Sequence, residues 1–143
     1  MIHFIPSLQS TTAALDAERT RLEVISQNIA NAHTTRGIDG HPYQRQQVVF
    51  EAALKQAQSK DGHGASVTVP QVSRIKKDTR PGSSIFQPGH PDADSNGMVL
   101  MPNVNLYEEM ADMIVASRTY EANVAVFKNG RAMAMQALSI GKK

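Results

Sequence analysis

Residues 4–32 read FIPSLQSTTAALDAERTRLEVISQNIANA, with no glycine and a single proline, Pro6, near the start. Leu8, Leu15, Leu22 and Ile29 fall seven residues apart, and Ile25 lies between the last two. That period draws a narrow apolar seam down one side of a helix. Asp16, Glu18, Arg19, Arg21 and Glu23 occupy the remaining surface. A proline in the first turn is tolerated because the N–H groups there have no intrahelical acceptor. The spacing predicts a helix of about 25 residues, roughly 38 Å long at 1.5 Å per residue. It should stop around Asn31–Thr35, since Gly37, Gly40 and Pro42 follow.

The other end of the chain repeats the pattern. From Val104 to Ile140, Leu106, Met113, Tyr120, Phe127 and Ala134 recur every seven residues. Met110, Val124 and Leu138 fill alternate positions of a second seam, which Ser117 and Arg131 interrupt. Glu108, Glu109 and Asp112 lie in the opening turns, and Lys142 and Lys143 follow the end, as the helix dipole favours. Gly141 is placed as a C-terminal cap, and Gly130 is a weak point where the helix could bend.

Between these segments the composition changes. Six of the seven prolines and seven of the nine glycines lie between positions 37 and 102. Tyr43–Phe50 (ending Val48-Val49-Phe50), Val67 and Val69 before Pro70, Val72–Ile75 and Ile85-Phe86 read as short strands. Asp61-Gly62-His63-Gly64 and Arg80-Pro81-Gly82 are turn signals. The expected fold is therefore mainly α: long N- and C-terminal helices paired as an antiparallel coiled coil, with a small β-rich or irregular insert. The divisions are 1–36, 37–103 and 104–143, the two ends forming one helical domain.

At 143 residues, with four Phe, three Tyr and no Trp, the chain has little material for a thick core. Small apolar residues suit closely packed helices better. The charges are mixed along the chain and sum to +2, with neither a basic patch nor interleaved aromatics, so no nucleic-acid partner is expected. Without cysteine there are no disulfides and no thiolate metal sites. The opening residues lack a basic n-region and a long apolar run, which points away from a cleaved signal peptide. Apolar runs such as Met113–Ala116 are too short for direct membrane insertion.

Asp92-Ala93-Asp94-Ser95-Asn96-Gly97 matches the first half of a calcium loop, but the twelfth position is Asn103 where a bidentate Glu is needed. Pro88, Pro91 and Pro102 leave no room for flanking EF-hand helices, so a polar turn is the better reading. His3, His33, His41, His63 and His90 are not spaced three or four apart, and most stand near Gly or Pro. No HExxH, G-x-S-x-G or phosphate-binding Gly-rich loop occurs. No catalytic residue, metal site or cofactor is therefore expected, and the chain does not read as an enzyme. The seams could be only the core of a helical hairpin. Because both ends carry them and little else in the chain can cover them, assembly with copies or partners is the stronger reading.

Three stretches resemble one known family. Ser26-Gln27-Asn28-Ile29-Ala30-Asn31-Ala32 followed by Thr34-Thr35-Arg36 is similar to the signature closing the N-terminal helix of the flagellar rod and hook axial proteins. Glu108-Glu109-Met110, Asp112-Met113-Ile114 and Ala116-Ser117-Arg118-Thr119-Tyr120-Glu121-Ala122-Asn123 resemble the C-terminal helix of the same family. Asp39-Gly40-His41-Pro42-Tyr43, Pro88-Gly89-His90-Pro91-Asp92-Ala93-Asp94, Asn96-Gly97 and Pro102-Asn103-Val104-Asn105 are more specific and resemble its proximal rod members. Met98 and Met101 depart from the aromatics expected there, and Glu51–Arg80 is where the likeness is weakest.

The resemblance implies a structural subunit of the bacterial flagellar basal-body proximal rod. Such a subunit assembles helically into the drive shaft carrying torque from the membrane ring to the distal rod and hook. It implies export through the flagellar type III apparatus without a cleaved signal peptide, and a place in the periplasmic part of the basal body. Partners would be copies of itself, other rod proteins, and the membrane-ring base through adaptor subunits. Leu8, Leu15, Leu22, Ile25 and Ile29 would pack with Met110, Met113, Tyr120, Val124, Phe127 and Leu138. Asn28, Asn31 and Thr34 would form a helix-end motif in which asparagine satisfies backbone groups. The alternative function is an export or chaperone-like module that binds a helical partner through the same seams.

Overall fold

The computed structural model describes residues 4–56 and 66–141. Helix α1 spans Phe4–Ala30 and helix α2 spans Leu106–Ile140. Between them lie β1 (Gln46–Gln56), β2 (Ser66–Lys77), β3 (Ser84–Phe86) and β4 (Met98–Leu100). The molecule thus has two long helices packed on each other, with small antiparallel sheets between them in sequence. Helix α1 also packs against both β1 and β2.

The ends of the helices follow local chemistry. Beyond α1 the chain turns through Asn31, whose Nδ2 donates to the Gln27 carbonyl at 2.8 Å. The Asn105 side chain caps α2 by accepting from the Tyr107 N–H at 3.1 Å, and Glu108 and Glu109 fall in its positive first turn. Helix α2 continues through Gly130 and ends at Gly141, whose N–H donates to the Ala137 carbonyl with an ordinary right-handed φ of −77°. Lys142 and Lys143 lie outside the described residues, as do His3, His63 and the Asp61–Gly64 turn signal.

The strands are longer than the sequence patterns suggested. β1 and β2 form an antiparallel ribbon from Gln46↔Lys77 to Gln56↔Ser66, with a shift of register at Val49/Phe50. β1 runs on through Glu51-Ala52-Ala53-Leu54, whose residues all have helical propensity. β2 continues across Pro70, which pairs with Ala52. In a two-stranded ribbon every strand has a free edge, so a residue without an N–H can be carried there without breaking the ladder. The second sheet pairs β3 with β4, from Ser84↔Leu100 to Phe86↔Met98, and β4 carries no sequence signal beyond three apolar residues.

The core is thin. Its buried apolar side chains include Ala17, Val24 and Ile25 on α1, Ala32 after it, Val69 on β2, Val99 on β4 and Ala116 on α2. The largest fully buried side chain is Glu109, a charged one. None of the helices among the described residues is long and apolar enough to cross a membrane.

Candidate functional site

At the junction of α1, α2 and β1 a buried polar cluster forms around Asn28, which is 1% exposed. Its Nδ2 donates to Glu109 Oε2 on α2 and to the Gln46 carbonyl on β1, both at 2.9 Å. Its Oδ1 accepts from the Tyr43 hydroxyl and from the Gln46 N–H, again at 2.9 Å. Two donors and two acceptor sites make the full capacity of a carboxamide, and all four are used. Glu109 is wholly buried, and its other oxygen accepts from Arg45 Nε at 2.5 Å. A carboxylate can be held out of water only when paired in this way.

The cluster spreads outward through charge. Arg45 also reaches Asp112 Oδ2 at 3.4 Å, and Asp112 Oδ1 lies 3.7 Å from Arg21 on α1. The Arg45 N–H donates to Asn103 Oδ1 at 2.7 Å, while Asn103 Nδ2 donates to the carbonyls of Asp78 and Arg80. Burial, and then the negative charge of Glu109, push the Tyr43 hydroxyl above its usual range, so it stays a donor. Arg80 beside Asp78 holds that carboxyl below the usual range.

Of the residues expected at helix seams, Ile25 is buried, and Leu8, Leu15, Leu22, Ile29, Met113, Tyr120, Val124 and Phe127 are half-buried within the chain. Met110 and Leu138 are about half exposed, at 52% and 48%. The buried positions of α2 are Glu109 and Ala116, one residue before Met110 and Ser117. Of the helix-end residues, Asn31 bonds to the Gln27 carbonyl and Thr34 donates to Asn31 Oδ1 at 3.2 Å. The backbone partner of Asn28 is Gln46, eighteen residues along the chain. Tyr43, Arg45, Asn103 and Glu109 were not foreseen at the junction, and no periodicity could have pointed to them.

The aspartates of the calcium-like loop have other partners. Asp92 accepts from the Thr35 hydroxyl at 2.8 Å and faces Arg36 at 3.6 Å. Asp94 Oδ1 accepts from the N–H groups of Asn96 and Met98. Along α2 large apolar side chains reach the surface: Ile114, Val115, Val126, Met133, Met135 and Ile140 are each more than half exposed.

Comparison with known proteins gives this surface a context. A family model described as "Flagella basal body rod protein" matches residues 8–36, and one described as "Flagellar basal body rod FlgEFG protein C-terminal" matches residues 95–140. The flagellar basal-body rod protein FlgC of Borreliella burgdorferi is 41% identical, covering 94% of this chain and 95% of its own length. The chain belongs to the FlgC family of flagellar rod proteins.

Other FlgC proteins are similar over comparable spans. That of Yersinia enterocolitica is 40% identical over 91% of this chain and 92% of its own. That of Bacillus subtilis is 36% identical over 95% and 97%. As a FlgC-family member the chain is a structural rod subunit of the flagellar basal body and not an enzyme. The two family-model matches take in the helical ends and β4, leaving β1, β2 and β3 outside both.

Proposed function

We propose that this FlgC-family chain builds the proximal part of the rod, its two helices pairing as an antiparallel coiled coil that packs with neighbouring subunits. Asn28 meets Glu109 while Arg21, seven residues earlier, faces Asp112, three residues later; these pairs run in opposite directions along the two helices. The carrying observation is the apolar surface of α2 from Val126 to Ile140, which nothing among the described residues covers. Copies of the chain and other rod proteins would cover it, with Leu8, Leu15, Leu22, Ile25 and Ile29 and with Met110, Met113, Tyr120, Val124, Phe127 and Leu138 contributing to packing. The helical ends would form the inner tube and the insert would touch neighbours. The assembled shaft would carry torque, in the periplasm, after export without a cleaved signal.

Circular dichroism and sedimentation of the purified chain over a range of concentrations test this. Helicity and mass should rise together with concentration or on adding other rod proteins, as folding coupled to association requires. A compact, highly helical monomer that is unchanged by dilution would overturn coupled assembly and favour a partner-binding export module.

A further inference from the structure

We propose that the Asn28–Glu109 pair, with Arg45 and Tyr43 around it, is a register lock that selects one alignment of α1 on α2 and clamps the insert to it. The apolar seams cannot do this alone. Leu8, Leu15, Leu22 and Ile29 repeat every seven residues, as do Met113, Tyr120, Phe127 and Ala134. Sliding one helix by seven residues, about 10 Å, would therefore set apolar against apolar again. Ala17 on α1 and Ala116 on α2 are buried and small, and side chains of that size offer little steric objection to a slide.

The polar pair does object. Seven residues either side of Glu109 stand Pro102 and Ala116, whose side chains offer Asn28 no acceptor. A slide would leave Glu109 buried without the Asn28 donor and Asn28 with unmet hydrogen bonds, and both are costly. One buried polar residue in an apolar seam is enough to specify register elsewhere. Here the same side chains also hold the insert. Asn28 grips Gln46 by both its N–H and its carbonyl, while Glu109 holds the Arg45 side chain and Asn103 the Arg45 N–H. Register of the helices and position of β1 are thus one choice. The lock acts within a single chain and does not depend on which proteins surround it.

The chain has no cysteine, so spin labels can be placed on cysteines introduced at the exposed positions Glu23 and Glu108 of the full-length protein. Double electron–electron resonance should give one narrow distance in the labelled parent; a broad distribution there would overturn the lock. Asn28→Leu/Arg45→Met/Glu109→Leu removes the polar contacts but keeps apolar volume. It should retain helicity while the distance broadens or gains a second peak displaced by up to about 10 Å, one seven-residue slide. A single narrow peak at the parental distance would overturn the proposal. Should that variant lose its helices, a charge rearrangement decides. Asn28→Asp sets two carboxylates together and should broaden the distance. Adding Glu109→Gln restores a donor opposite Asp and should narrow it again, whereas no recovery would refute direct pairing.

Discussion

At the scale of single residues, the junction is costly to disturb because its groups are buried and fully partnered. Glu109→Ala takes the buried partner from the Arg45 guanidinium, which is 11% exposed and keeps only the longer contact to Asp112, and removes one Asn28 contact. Breaking a buried ion pair from one side costs about 3–5 kcal/mol, which chemical denaturation of the folded protein should register. Tyr43→Phe removes one hydrogen bond and should cost only about 1 kcal/mol. Its pH dependence is more telling. The hydroxyl is raised above its usual value of 10.0, by burial first and by Glu109 second. A raised folded-state pKa gives stability that is complete below the unfolded value and is lost as pH rises through the folded one. Parent and Tyr43→Phe should therefore converge in stability above about pH 10, followed by denaturation at successive alkaline pH values. Asn28 was legible in the sequence only as part of a helix-end motif. Glu109 resembled an ordinary first-turn acid. Their meeting depends on residues 81 positions apart, which no local pattern encodes.

At the scale of elements, the helices were readable because each is built on a sustained seven-residue repeat. Their facing sides were less so. On α2 the buried positions fall at Glu109 and Ala116, one residue before Met110 and Ser117 of the expected second seam, and a polar and a small residue there escape any count of large apolar side chains. The strands were harder still. Residues 51–54 have helical propensity and become β1 only because β2 pairs with them, a case of tertiary context overriding local preference. Beside the short β3–β4 sheet two glycines stand where a side chain has no room. A Cβ at Gly82 would lie 1.9 Å from the Met101 carbonyl oxygen, so Gly82→Ala forces the backbones apart. Gly97 has a φ of +72°, and its Cβ would meet Phe86 and Pro88 at 3.0 Å. Gly97→Ala should cost about 1–3 kcal/mol through strain. Hydrogen exchange read at Met101 N–H, which donates to the Ser83 carbonyl at 2.8 Å, should show faster opening in both variants and the larger change in Gly82→Ala.

At the scale of the whole molecule, two kinds of apolar position are separated along the helices, and they should respond differently to charge. Val24 is 4% exposed and belongs to the chain's own core. Val126 and Met133, at 58% and 63% exposed, belong to a face that none of the described residues covers. A carboxylate at an exposed site stays hydrated in the lone subunit and is stripped of water only when another subunit covers it. Val126→Glu and Met133→Glu should therefore leave helicity of the dilute chain unchanged while abolishing its concentration-dependent gain in mass, and with it rod assembly and swimming. Val24→Asp places an unpaired charge in the core and should lower helicity at every concentration. Leu22→Asp and Phe127→Asp, at half-buried positions, should do both in part and also stop motility. Circular dichroism of the dilute chain alongside sedimentation over a range of concentrations separates the classes, because helicity at dilution reports the chain's own fold and the gain in mass reports association. If Val126→Glu and Met133→Glu associate and swim like the parent, the bare face of α2 is not where subunits meet, and the seams serve the chain's own fold alone.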